Sequence, residues 1–288
     1  MLDQFLPGAR RIIREVLAVR ASETVLVITD FDTNPNIALA LRNAAAEVGS
    51  AAFVLSMAAG KRPGEEVPKL IADAMLASDV ILAPTSRTIM HTEAATKAHN
   101  KGARILTITG ANENTLVHGG IHADFHSLIP VFDRLMTRFT KGNTLTITTC
   151  AGTDLSMSIC GRLPVACTGI CTRPGDKIGF PDAEICISPV EDSVKGTVVV
   201  DASSSAFGLC KQPLCMQIEH GRITEMEGGI EKKLLLEDLN GAGHDGAWQI
   251  CEAAFGLNYM SSVTGNGMRF SWSCPCVSDF EQCKPISN

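Results

Sequence analysis

Four short apolar runs, at residues 24–29, 51–56, 79–83 and 104–109, recur through the first part of the chain with helix-like stretches between them. Each is shorter than a typical helix and nearly continuous in Val, Ile, Leu and Ala, which is how strands covered on both faces read. The intervening segments 37–48, 69–77 and 92–100 carry helical character, as does 2–19 ahead of the first run, where Leu2, Phe5, Ile12, Ile13, Val16 and Leu17 fall at helical spacing. Strand and helix in alternation predict a parallel sheet with helices on its faces.

The texture changes near residue 140. Residues 144–149 and 154–159 flank Ala151-Gly-Thr153 like the arms of a hairpin, and 184–187, 196–201, 214–219 and 222–227 continue the antiparallel pattern, with His220-Gly221 as a tight turn. Residues 231–239 read as a helix, and a glycine-rich break leads to an amphipathic segment at 248–255. The expected fold is therefore α/β, with a parallel α/β sheet domain over 1–140 and a β-rich α+β domain over 141–288. A length of 288 residues fits two domains.

Composition excludes several classes of function. A net charge of −6 without any Lys/Arg block gives no footprint for a phosphate backbone, so no nucleic-acid partner is expected. Arg10, Arg11 and Arg14 rule out residues 2–19 as the apolar core of a signal peptide, and no run approaches the roughly 20 apolar residues of a membrane span. Eleven cysteines without a secretory signal predict a reducing, cytoplasmic setting. Cys274-Pro-Cys276 has poor spacing for zinc. Neither Gly110-Ala-Asn-Glu-Asn114 nor the segment 169–179 forms the Gly-x-Gly-x-x-Gly turn of a dinucleotide site, and no Gly-x-Ser-x-Gly elbow occurs, which argues against a nucleotide cofactor and a serine hydrolase.

Among single residues, His91 follows the end of the third predicted strand, where α/β sheets place ligand-binding loops. The same argument brings Asp30, Asp32 and Thr33 close to a cleft, although an ordinary turn with a helix cap explains them as well. His118, His122 and His126 are spaced to stack on one helix face, against which Gly119 and Gly120 argue. His244-Asp245 lies in a glycine-rich loop, and Cys167 and Cys171 read as structural thiols.

Four ordered pieces carry a resemblance: Pro84-Thr-Ser-Arg-Thr-Ile-Met-His-Thr92, Thr149-Cys-Ala-Gly-Thr-Asp-Leu155, Pro189-Val-Glu-Asp-Ser-Val-Lys-Gly-Thr-Val-Val-Val-Asp201, and Glu252-Ala-Ala-Phe-Gly-Leu-Asn258 with Thr264-Gly-Asn266. Over residues 1–266 the chain resembles the aminopeptidase T (thermophilic leucyl aminopeptidase) family, and the same pieces occur in the related 2,5-dihydroxypyridine 5,6-dioxygenase. The aminopeptidase resemblance implies a metallohydrolase that frees an N-terminal residue or small amide with metal-activated water, on a divalent metal (cobalt, zinc or manganese) with Glu252 as ligand. It also implies a homodimer and a small peptide or small-molecule substrate. The dioxygenase has histidine at the position of Glu252, so the carboxylate favours the peptidase. The alternative is an iron(II)-dependent dioxygenase that opens a hydroxylated N-heterocycle, in which His91 matches an acid/base histidine. From Gly267 to Asn288 nothing matches the family, whose remaining metal ligands lie there. The tail from about 267 thus reads as atypical and the domain as truncated, loss of the metal is an expectation for this chain, and a non-catalytic family member is the third reading.

Overall fold

A computed structural model describes residues 2–263. Thr264-Gly-Asn266, Cys274-Pro-Cys276 and the atypical tail lie outside the described residues. In chain order the main elements are α1 (Leu6–Arg11), β1 (Thr24–Asp30), α2 (Pro35–Glu47), β2 (Ala51–Met57), α3 (Lys69–Leu76), β3 (Val80–Ala83), α4 (Glu93–Asn100), β4 (Arg104–Thr107), α5 (Phe125–Lys141), β5 (Thr144–Thr148), β6 (Asp154–Ser158), β7 (Val165–Cys167) and β8 (Lys177–Gly179). They continue with β9 (Glu184–Ile187), β10 (Lys195–Val200), β11 (Ser203–Ser204), β12 (Gly208–Leu209), β13 (Leu214–Glu219), β14 (Arg222–Glu227), α6 (Ile230–Gly241) and β15 (Ala253–Gly256). Among the described residues two compact units emerge: 2–127 with Cys167–Ala183 and Asn258–Ser262, and Leu128–Ala166 with Glu184–Leu257 and Val263. The mixed α/β class expected from the sequence is the class observed.

The first unit holds a parallel sheet in the order β2-β1-β3-β4-β8. β3 and β4 are buried at every position, which is why they read as continuous apolar runs. The sheet has a fifth strand beyond the four expected. β8 spans three residues and takes its place only by pairing with β4, a partner that local periodicity cannot reveal. The predicted helix at 2–19 divides into a 3₁₀ turn at Leu2–Phe5, α1 and a π turn at Ile12–Val16, with Ala18 at φ +46° beyond it. Its apolar face still does the expected work, since Phe5, Ile12, Ile13 and Leu17 are fully buried. Asn34 caps α2 by accepting from the Asn36 N–H, and Pro35 occupies the first turn.

A buried ion pair sits at the opposite end of this sheet from the candidate residues. The Arg104 guanidinium donates from both terminal nitrogens to the Glu23 carboxylate at 2.8 and 2.9 Å, with side-chain exposures of 6% and 13%. Burial pushes the Glu23 carboxyl upward. The hydrogen bonds and charge of Arg104, with help from Arg20, outweigh it and hold the group below the usual carboxylate range.

The second unit is built on an antiparallel sheet in the order β14-β13-β10-β6-β5. The β5–β6 hairpin and the β13–β14 hairpin follow the sequence reading. In the latter, His220 at φ +46° and Gly221 at φ +73° provide the two left-handed positions a tight turn matched to strand twist requires. Gly196 is at φ +121°, and a Cβ there would lie 2.1 Å from the Asp154 carbonyl oxygen on the neighbouring strand, so the close β10–β6 approach depends on glycine.

Two readings of this unit are corrected. The amphipathic segment at 248–255 splits into a 3₁₀ turn at Asp245–Trp248 and strand β15, which pairs with β9 from Ala253 opposite Ile187 to Gly256 opposite Glu184. Helix α5, seventeen residues with Pro130 inside it, has no counterpart in the sequence reading. Proline and the glycines ahead of it masked the helical period, and packing supplies what propensity withholds. Phe139, for example, meets Phe255 edge to face at 5.6 Å.

Candidate functional site

In the first unit's sheet, β1 is flanked by β2 on one side and β3 on the other, so the chain reverses its direction of travel between β1 and β3. Open parallel sheets bind ligands beyond the carboxyl ends of the strands at such a point. The loops leaving β1 and β3 carry four of the sequence candidates: Asp30, Asp32 and Thr33 on one, His91 on the other.

Asp30 is 3% exposed and its carboxylate is fully engaged. One oxygen accepts from the Thr33 hydroxyl at 2.8 Å, and the other accepts from the Ser86 N–H at 2.6 Å and the Ser86 hydroxyl at 2.7 Å. It therefore latches the loop after β1 to the loop after β3. Thr33 is buried with it, while Asp32 is exposed. Ser86 was not singled out from the sequence. Its signals are a position just past a strand end and a place in the piece Pro84–Thr92.

His91 is exposed in the turn that leads into α4. Its loop is braced from several directions. The Gly64 N–H donates to the Thr88 carbonyl at 2.9 Å, and the Lys177 ammonium donates to the Met90 carbonyl at 3.2 Å. Thr92 caps α4, its hydroxyl oxygen accepting from the Ala95 N–H at 3.1 Å and its O–H donating to the Ile89 carbonyl at 2.8 Å. The Glu66 carboxylate receives the Glu93 N–H and, at 3.4 Å, the Ala94 N–H. A carboxylate at a helix N-terminus meets both unpaired N–H groups and the positive end of the helix dipole. The result is an accessible imidazole on a main chain with little freedom, the arrangement a working side chain needs. The Glu66 and Lys177 braces come from distant segments, so sequence spacing could not show them.

The other candidates separate. His118 precedes the 3₁₀ turn Gly119–His122, His122 lies in it with Nε2 at 2.8 Å from the Val117 carbonyl oxygen, and His126 belongs to α5, so no single helix stacks the three rings. Cys171 is buried and its thiol is pushed up to about 12, first by burial and then by the nearby Asp176 charge; the thiol donates to the Ile105 and Asp176 carbonyls. It is no nucleophile. His244 precedes the turn Asp245–Trp248 without a side-chain capping bond, and Asp245 pairs with Arg222 at 2.7 Å. Glu252 is exposed immediately ahead of β15, in the second unit. Six residues on, Asn258 has a structural task in the first unit, its amide donating to the Gly120 carbonyl at 3.0 Å and the Pro181 carbonyl at 2.6 Å. Among the described residues, no group of three or more His, Cys, Asp or Glu side chains is placed to hold a metal ion, and no helix is long and apolar enough to cross a membrane.

The fold is shared with 2,5-dihydroxypyridine dioxygenase from Pseudomonas putida KT2440, at a TM-score of 0.76 and 18% identity over 93% of this chain and 80% of that one. It is also shared with AmpT from Thermus thermophilus, at 0.62 and 14% over 88% and 78%. By sequence, the Pseudomonas putida 2,5-dihydroxypyridine 5,6-dioxygenase is 25% identical over 136 residues, a match spanning 46% of this chain and 39% of that protein. The model of the family described as NicX, 2,5-dihydroxypyridine 5,6-dioxygenase, matches residues 11–271. These findings overturn the aminopeptidase reading and the metallopeptidase class of hydrolase that it implied. That reading ranked two related families on one residue, Glu252, in a motif both share, whereas the whole-length pattern follows the dioxygenase. The chain belongs to the NicX, 2,5-dihydroxypyridine 5,6-dioxygenase, family.

Proposed function

We propose that the chain acts on a hydroxylated pyridine of the 2,5-dihydroxypyridine type, as an iron(II)-dependent ring-cleaving dioxygenase, with His91 as its acid/base residue. The observation that carries this reading is the family match over residues 11–271. The exposed, braced imidazole at the switch point of the first unit's sheet supports it. There His91 can take the proton of a ring hydroxyl and return it later, the service a positioned histidine performs in general acid–base catalysis. The latch of Asp30 on Ser86 keeps the two flanking loops in register while the ring binds.

Iron belongs to this reading as the family's metal. The described residues do not fit it, because no three candidate ligands gather among them. Glu252 stands as a candidate carboxylate donor that metal content can test.

The experiment is anaerobic loading with ferrous ion, followed by iron analysis and oxygen uptake with 2,5-dihydroxypyridine. Turnover is expected, falling on the order of a hundredfold or more in His91→Ala while ring binding persists. A loss of bound iron in Glu252→Ala makes that carboxylate a ligand. Ring binding without oxygen uptake favours a non-catalytic binding protein, and failure to bind the ring at all overturns the proposal.

A further inference from the structure

Phe31 is the residue of this region that neither the fold nor the acid/base role explains. Phe5 at 1% exposure and Phe125 and Phe180 both at 4%, the last two tilted against each other at 5.7 Å, are buried in the first unit, whereas Phe31 is 75% exposed, more than Phe53 at 56% or Tyr259 at 61%. It follows Asp30 at the carboxyl end of β1, beside the loop after β3. Its backbone is fixed. The Phe31 N–H donates to the Met57 carbonyl at 3.1 Å, the preceding carboxylate is held by Ser86 and Thr33, and the Thr33 N–H returns to the Asp30 carbonyl at 3.2 Å. Beyond Thr33, the Asn34 side-chain amide donates to the Glu113 carboxylate at 2.9 Å, tying this loop to the one after β4. An apolar ring left in water contributes nothing to folding, and the latch holds it where a parallel sheet receives ligands.

We infer that Phe31 is the stacking platform of an aromatic-ring site at the β1/β3 switch point, and that the ligand is a planar, hydroxylated six-membered N-heterocycle. An aromatic face offers offset stacking to such a ring regardless of its substituents. The polar groups that then read the ring's oxygens come from the neighbouring loop, where Arg87 and His91 are exposed. This inference rests on the ring-cleavage reading for the choice of ligand.

The test is equilibrium binding of 2,5-dihydroxypyridine under anaerobic conditions, to the full chain and to Phe31→Ala, Phe31→Tyr and Phe53→Ala, with circular dichroism confirming that each is folded. Phe53 is an exposed ring in the middle of β2 and serves as the control. Phe31→Ala should weaken binding about tenfold, the order expected for losing one stacked ring, and Phe31→Tyr and Phe53→Ala should bind like the parent. If the parent binds and Phe31→Ala binds equally well, the platform is overturned while the proposed function stands. Equal losses in Phe31→Ala and Phe53→Ala also overturn it, by showing a general loss of apolar surface. If the parent does not bind the ring, the functional reading fails and the platform with it.

Discussion

The two units reach stability by different routes. In the first, β3 and β4 are covered on both faces, the strands are joined through helices, and the charged pair Glu23–Arg104 is sealed in. In the second, β6 alternates exposed, buried and half-buried positions, hairpins join β5 to β6 and β13 to β14, and the pair Arg162–Glu191 lies at the surface. A parallel sheet spends its strands on the core and leaves its loops free at the carboxyl edge, so the candidate chemistry of the first unit gathers there. An antiparallel sheet with one wet face spreads its polar groups along the strands, and its candidates divide between the exposed turn of His244 and Asp245 and the exposed residue Glu252 ahead of β15.

The sharpest break in that contrast is Glu23→Gln. Removing one partner of a buried pair leaves Arg104 with an uncompensated charge, a loss of roughly 3 kcal/mol, the low end of the usual range because Glu23 keeps some exposure. Denaturant unfolding followed by hydrogen exchange should show the protection lost in β1, β3 and β4 and retained in β10 and β13. An equal loss in both sheets would mean that the units do not unfold independently. The pH dependence has a fixed sign. The folded pKa of Glu23 is lowered, so its contribution is complete above the unfolded carboxylate range and is lost as pH falls through the folded value. The parent's advantage over the Gln variant should therefore be full at neutral pH and shrink below about pH 4.

In the second unit the matching perturbation is Gly196→Ala. The added methyl would meet the Asp154 carbonyl oxygen and force a left-handed residue to carry a Cβ, so a loss of about 2 kcal/mol is expected. Hydrogen exchange should place it in β6 and β10. If Gly196→Ala is neutral, β10 and β6 can separate without cost and the second sheet is looser than its register indicates.

What the sequence disclosed follows the same division. Strands whose neighbours are all apolar announce themselves in any short window, and β1 to β4 were read nearly to the residue. β8 and β15 exist because of a partner far along the chain, β4 in one case and β9 in the other, and no window contains both members. The candidate site shows the same limit. His91 stood out by its position after a strand, whereas Glu66, Ser86 and Lys177, which fix its loop, became visible only when folding brought them together. The error over activity had another source. Glu252 was weighed against the histidine that the dioxygenase carries at the same position, and one residue ranks two related families less well than the pattern over residues 11–271.

The smallest expected effect is the other side of the charge comparison. The Arg162 guanidinium donates to the Glu191 carboxylate at 2.5 Å, and the Glu191 carboxyl lies below the usual range, first through its own backbone N–H and then through the Arg162 charge. Distance and direction resemble those of Glu23–Arg104, and a reading from geometry alone would assign the two pairs similar worth. Solvent decides otherwise. Glu191 is 72% exposed, so water and salt screen the attraction and rehydrate either partner when the other is removed. Glu191→Gln should leave the unfolding midpoint unchanged within error at physiological salt, and β10 as protected from exchange as before. A clear drop would show that the second unit depends on its surface charges in a way the first does not, and would reverse the contrast between a sealed sheet and a wet one.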